Sequence, residues 1–269
     1  MNHPRGYSTQ PLSFNRKAVQ ASASVTSAKN TIHSLTEVDI TPVRKMIRTH
    51  FDKTGKKLSL TAYVVTCLAH TIKGHPHLNA FIKGRKMVLL DDVTLSVLIE
   101  KEIEGERVPE PIGILEAQNK SHQQIQSEIR SAQSQRNDKL GSFSGISWIR
   151  FIPGALLRTF IRIADKNITM AKRYGKIAVT ATGMFSEEPS WFIPHGSPTV
   201  LLTVGSISNK VVELEGQFVT REYLHLTASF DHDVVDGAPA ARFMTELLKS
   251  IGSGDLLDST SHSVQNKKT

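Results

Sequence analysis

Between Glu222 and Ile251 the chain changes its period. Residues Glu222 to Phe230 alternate in part and include Tyr223, Leu224, Leu226, Thr227 and Phe230, whereas Ala238 to Ile251 spaces its apolar residues at helical intervals. The connecting turn is Asp231-His232-Asp233-Val234-Val235-Asp236-Gly237. A strand followed at once by a helix leaves His232 at a strand end. Strand pairing there fixes the backbone while the loop beyond can present a side chain to a pocket. An imidazole, with an ordinary pKa of about 6.5, suits proton removal near neutral pH. Asp236 and Gly237 add a carboxylate and a conformationally permissive residue. On these residues alone two readings stand: a positioned base, or a solvated turn in which Asp236 caps the next helix.

Composition fits a globular chain able to bury a core, with 269 residues, 39% hydrophobic and 22% charged. No apolar run reaches the roughly 18 residues of a membrane span, and Met1 to Ser13 lacks the apolar centre of a secretory signal. The single Cys67 excludes an internal disulfide and a cysteine-based zinc cluster. It lies in the apolar run Tyr63 to Leu68 and reads as a buried structural thiol. A cytoplasmic protein with no metal is expected. The net charge of +8 invites a nucleic-acid reading, but the basic residues are dispersed, aromatic residues make up only 6%, and no recognition motif accompanies them. Specific nucleic-acid binding is therefore not expected, and the charge is assigned to solubility or to attraction of an anionic cofactor.

Further signals order the rest of the chain. Thr41-Pro42 predicts a helix start, with the threonine as cap and an end near Gly55. Leu60 to Ile72 predicts a more buried helix stopping before Gly74, and Ser121 to Gln135 a polar one with Ile125 and Ile129 inward. Lys86 to Leu90, Thr94 to Ile99, Thr199 to Val204 and Val211 to Leu214 predict strands. Ile146 to Tyr174 interleaves apolar residues with Arg150, Arg158, Arg162 and Lys166, and Pro153-Gly154 should break it. Such a stretch packs on its own core, meets another subunit, or contacts a membrane; the first two are favoured over membrane contact through 146–174.

The string Ser229-Phe230-Asp231-His232-Asp233-Val234-Val235-Asp236-Gly237-Ala238 resembles the active-site signature S-F-D-H-R-V-V-D-G-A of dihydrolipoamide acyltransferases, the core components of 2-oxoacid dehydrogenase complexes. Pro11-Leu12-Ser13-Phe14-Asn15-Arg16-Lys17-Ala18-Val19 is similar to the P-L-S-x-x-R-K-A-I entry of those catalytic domains. Thr36 to Thr41 looks like their first long strand, Lys57 to Thr61 like the start of a core helix, and Leu78-Asn79-Ala80-Phe81 like the segment after it. Ile177-Ala178-Val179-Thr180-Ala181-Thr182-Gly183-Met184-Phe185 stands where the family has F-T-I-S-N-L-G-M-F. The resemblance runs in order from about residue 11 to about 251, with a poor match between about 104 and 172. The wider group sharing H-x-x-x-D-G includes chloramphenicol acetyltransferase, which tends to carry a second histidine where this chain has Asp231.

What the resemblance implies is an α/β fold, a chloramphenicol acetyltransferase-like two-layer sandwich of mixed sheet and helices. The acyltransferase catalytic domain is then 31–254; residues 1–30, rich in Ser, Ala and Asn, are expected to form an N-terminal arm, and 255–269, rich in Ser, Thr, Asn and Lys, a disordered polar tail. The implied reaction moves an acyl group between coenzyme A and a thiol. His232 is the implied general base, Asp236 its orienting support and Thr180 the oxyanion donor where the family has serine; an ordinary strand threonine is the competing reading of Thr180. The family site lies between subunits of a trimer, so a homotrimer is implied.

Departures leave the acceptor open. The family's G-L-V-V-P-V-like channel strand reads here Glu104 to Ile112, with two prolines and three glutamates. A free-standing catalytic domain without a lipoyl or subunit-binding domain is expected, so lipoamide is expected in trans from a lipoyl-bearing protein. The alternatives are a catalytically impaired assembly subunit, or a small-molecule O-acetyltransferase, which Asp231 disfavours.

Overall fold

The structure, a computed structural model, describes residues 6–27, 29–103, 106–134, 154–183, 186 and 188–258. Its centre is a sheet of six strands: β1 (Thr31–Asp39), β4 (Leu95–Ile103), β5 (Glu106–Ile114), β6 (Ile177–Ala181), β7 (Val200–Leu214) and β8 (Gln217–Asp231). They lie in the order β1-β8-β7-β6-β4-β5. β4, β6 and β7 run parallel, while β1 with β8, β7 with β8, and β4 with β5 are antiparallel. A separate hairpin joins β2 (Ala80–Lys83) to β3 (Lys86–Leu89).

One sheet face is dry. Leu224, Leu226, Ala228 and Phe230 on β8 join Val200, Leu202 and Val204 on β7 and Ile177 and Val179 on β6 in a single core. Helices α2 (Thr41–Thr54), α3 (Leu60–Lys73), α4 (His122–Ser134) and α7 (Gly237–Ser253) pack over that face. α3 is its keystone, buried from Ala62 through Ala69 and again at Ile72, so it is apolar nearly all round. Ser59 caps it, its Oγ accepting from the Ala62 N–H at 3.2 Å. Cys67 is buried within it, as its apolar setting predicts, and burial pushes the thiol up to about 11.

Local chemistry corrects several boundaries. Thr41 does not cap α2. Ile40 holds the cap position, Asp39 Oδ1 accepts from the Thr41 N–H at 2.9 Å, and the Thr41 hydroxyl accepts from the Glu222 N–H at 2.8 Å. α2 does end at Gly55, which is left-handed at φ 67°. The two runs Thr199 to Val204 and Val211 to Leu214 belong to one strand, β7, with a register shift between Val204 and Ile207. Gly205 sits in that shift, and its carbonyl lies where a Cβ on Gly183 would be, 1.7 Å away, so only glycine fits at 183.

Residues 1–30 contain helix α1 (Phe14–Thr26), which packs on α5 (Gly154–Asp165). α5 is described from Gly154 and α6 (Ile168–Tyr174) follows; residues 146–153, and with them the expected break at Pro153, lie outside the described residues. α5 turns Leu157 inward and leaves Leu156 and Ile163 exposed. Residues 255–258 form helix α8 (Asp255–Asp258), with Leu257 in the core. β5 carries Pro109 and Pro111 at the sheet edge, and its pairing with β4 continues without interruption past both. Their missing N–H groups therefore share the outer side. Glu110 is neutralised by Lys101 at 2.8 Å. Glu104 and Gly105 lie outside the described residues.

The buried Tyr63 ties α3 to the end of α7. Its hydroxyl lies 2.9 Å from the Ser250 carbonyl and 3.0 Å from that of Ile251, and accepts from the Gly254 N–H at 3.0 Å. Tyr63→Phe would orphan that buried N–H, and an expected loss of about 1–3 kcal/mol should appear as a lower urea midpoint. An unchanged midpoint would contradict this account.

Candidate active site

β8 ends at Asp231, and His232 opens the turn that leads to α7. The His232 N–H donates to the Asn30 carbonyl at 2.7 Å. Its ring is 44% exposed, with Nδ1 3.7 Å from Asp236 Oδ1. That separation is an electrostatic contact, not a hydrogen bond. Asp236 occupies the N-cap position of α7 with extended backbone, yet its side chain makes no cap bond. The solvated-cap reading therefore accounts for its backbone but not for its carboxylate, which faces the imidazole.

Asp231 is buried beneath the turn. Lys29 Nζ stands 2.7 Å from its Oδ2, and its Oδ1 accepts from the Asp233 N–H at 3.2 Å. Asp233, where the family signature has arginine, accepts from Asn30 Nδ2 at 3.0 Å.

Thr180 lies on β6, half-buried, on the face away from the core helices. It is level with Thr203 on β7 and, through it, with Thr227 on β8. The Thr203 and Thr227 hydroxyls are buried without a hydrogen-bond partner. Thr227 precedes His232 by five positions on β8. At about 3.3 Å per residue and about 4.8 Å per strand, Thr180 and His232 are roughly 19 Å apart within one chain. A single chain does not bring the two together.

The same face holds a cluster that sequence reading missed. His225 is fully buried and stacked on Trp191, with ring centroids 4.0 Å apart and planes 10° apart. Ser206 Oγ accepts from the Ser190 N–H at 2.9 Å, which leaves its proton for His225 Nδ1 at 3.3 Å; Nε2 faces Ser208 Oγ at 3.0 Å and Glu37 at 3.7 Å. Lys210 ion-pairs with Glu37. One signal was legible: His225, Thr227 and Ser229 alternate with Leu224, Leu226 and Ala228, a polar period of two inside a strand buried on both faces.

Two hollows lie on the molecule, the larger on the helical side of the sheet, opposite the face that carries Thr180. One of about 580 Å³ runs between the start of α3, α4 and β4; Arg44, Lys57, Gln126 and Arg130 line it, and it reaches Ala181, next to Thr180. The other, of about 260 Å³, lies beside the His232 turn and is lined by Lys29, Thr31, His33, His195 and Ser229. Among the described residues no group of three or more His, Cys, Asp or Glu side chains is placed to hold a metal ion. No helix among them is long and apolar enough to cross a membrane.

A mixed sheet with helices over one face and a histidine at the end of β8 defines a chloramphenicol acetyltransferase-like fold. The structure superposes on a probable dihydrolipoamide acetyltransferase from Listeria monocytogenes with a TM-score of 0.68 at 22% identity, covering 93% of this chain and 96% of that one. It also superposes on chloramphenicol acetyltransferase with a TM-score of 0.50 at 13% identity, covering 88% and 95%. The profile of the 2-oxoacid dehydrogenases acyltransferase (catalytic domain) family matches residues 4–144 and 162–257, and the chain belongs to that family. It is 25% identical over 232 residues to a dihydrolipoyllysine-residue succinyltransferase component of the 2-oxoglutarate dehydrogenase complex from Bartonella vinsonii, covering 83% of this chain and 49% of the relative. It is 27% identical over 252 residues to a lipoamide acyltransferase component of the branched-chain alpha-keto acid dehydrogenase complex from Bacillus subtilis, covering 90% and 52%. The chain thus spans about half the length of these curated relatives. The family match omits residues between 144 and 162, inside the segment that departs most from the family signature.

Burial lowers the pKa of both His225 and His122, the latter donating from Nε2 to the Ser59 carbonyl at 3.1 Å. The folded state binds these protons more weakly than the unfolded chain, whose histidines titrate near about 6.5. Stability is therefore full above that pH and falls as acid is added below it. Melting temperatures measured from pH 7.5 to 5 should decline; a flat profile would remove these two histidines as contributors.

Proposed function

We propose that this chain moves an acyl group between coenzyme A and a thiol, either lipoamide presented in trans by a lipoyl-bearing protein or another small acceptor. The observation that carries this reading is the separation of His232 from Thr180, about 19 Å within one sheet, in a chain of the acyltransferase family. A complete site needs both a base and an oxyanion donor, and a homotrimer supplies them by setting His232 of one subunit against Thr180 of its neighbour.

The chemistry follows from these parts. His232 takes the proton of the attacking thiol, whose ordinary pKa of about 8.5 leaves it mostly protonated at neutral pH. The thiolate adds to the thioester carbonyl, and the Thr180 hydroxyl donates to the resulting oxyanion. Collapse expels the second thiolate, which recovers the proton from His232. Asp236 limits the ring's orientation. Lys57 and Arg130, at the cavity that reaches Ala181, supply positive charge for the phosphates of coenzyme A.

Exposed apolar surface supports a partner subunit. β1 ends opposite Tyr223 and β6 opposite Val204, so residues 207–222 extend as a two-stranded arm on which Val211 is 69% and Phe218 78% exposed. Such a ribbon is marginal in water by itself. The catalytic unit on this reading takes in α1 and α8 as well, since α1 packs on α5 and Leu257 sits in the core.

Thiol release from acetyl-CoA with dihydrolipoamide as acceptor tests the proposal. His232→Ala should lower kcat by roughly 100- to 10,000-fold, whereas equal rates would defeat the assignment of the base. Thr180→Ala should cost about 100-fold or more and Thr180→Ser should keep activity. Light scattering should show a trimer; an active monomer would contradict the shared site. No transfer by the wild type would favour an assembly role, and chloramphenicol resistance on expression would favour O-acetylation.

A further inference from the structure

We infer that Lys29 is a positioning residue for His232, acting through Asp231; the inference rests on the reading of His232 as the base. The imidazole is half-exposed, and its one ion-pair partner among the described residues, Asp236, stands 3.7 Å away. Beyond Asp236, its direction is set by the backbone of the turn.

Asp231 organises that backbone. Its carbonyl accepts from the Val234 and Val235 N–H groups at 3.0 and 2.9 Å, and its Oδ1 accepts from the Asp233 N–H at 3.2 Å. The carboxylate is 8% exposed, and a buried charge of this kind holds its place only when paired. Lys29 supplies the charge: its Nζ is 2.7 Å from Asp231 Oδ2 and 2.5 Å from the Ser197 carbonyl. Asn30, the next residue, accepts from the His232 N–H at 2.7 Å and donates to Asp233 at 3.0 Å. Two consecutive residues thus grip Asp231, His232 and Asp233 in succession.

The grip reaches outside the signature Ser229 to Ala238. Lys29 follows α1 and precedes β1, so the segment that reads as an arm ends in the support of the base. Without the ammonium, Asp231 loses the cation on its Oδ2 and keeps only the field of the more distant Lys176; turning outward would free the Asp233 N–H and losing charge would weaken that bond, and either change lets the turn move. A displacement of about 1 Å at a reacting group costs up to about 100-fold in rate.

Lys29→Met in the full chain tests this with two readouts. Amide exchange in a peptide spanning 230–236 should speed by about tenfold or more while peptides from α3 keep their protection. kcat for acetyl transfer should fall by about 10- to 100-fold with the KM for acetyl-CoA unchanged. Lys29→Gln, which keeps a donor, should fall between the two proteins and is the variant to read if Lys29→Met does not fold. Wild-type exchange in the 230–236 peptide, or acceleration spread evenly over the domain, would overturn the inference. If the wild-type protein transfers no acetyl group, the reading of the reaction fails, and the exchange result still decides whether Lys29 holds the turn.

Discussion

Backbone pairing along both sides of β8, from Tyr223 to Asp231, holds the rest of the molecule in register. With β1 on one side and β7 on the other, a slip of one residue would turn Leu224, Leu226, Ala228 and Phe230 out of the core and put His225, Thr227 and Ser229 into it. The same pairing stops at Asp231, so the strand that anchors the core also delivers the turn with His232 at a fixed height. Core packing and site geometry are therefore two results of one register.

The two faces of the sheet do different work. The helical face is filled by aliphatic and aromatic side chains around α3, and its details follow from burial alone. The opposite face carries threonine hydroxyls, a buried imidazole under Trp191, and the Glu37–Lys210 pair. Unpartnered hydroxyls at Thr203 and Thr227, in line with Thr180, mark that face as the one where a protein of this family does chemistry on the proposed reading. The distance between Thr180 and His232 then makes assembly a condition of activity rather than an addition to it.

Much of this was legible in the sequence because it depends on near neighbours. The strand, turn and helix around His232, the start of α3 at Leu60 and the end of α2 at Gly55 follow from local periods and turn residues. Thr41 misled because two partners close to it in space, Asp39 and Glu222, take over the capping work. β7 read as two runs because Gly205, Ser206 and the polar residues after them interrupt its apolar pattern, although pairing carries through with a bulge. What sequence could not show were contacts such as Lys29 with Asp231, 202 positions apart, or Trp191 over His225. No local rule connects such residues.

The edge strand β5 sets a rule for assembly. Pro109 and Pro111 interrupt its outward row of donors, while β1, at the other edge, keeps an unbroken backbone. Growth by strand addition into an open filament needs two receptive edges on every copy, one to give and one to take. With β5 blunted, copies joining through the two edge strands of the six-stranded order meet β1 to β1, which closes on itself after a single step. A larger closed assembly that leaves these two edges unused is built from side-chain surfaces, and its size is limited by their geometry rather than by the supply of chains.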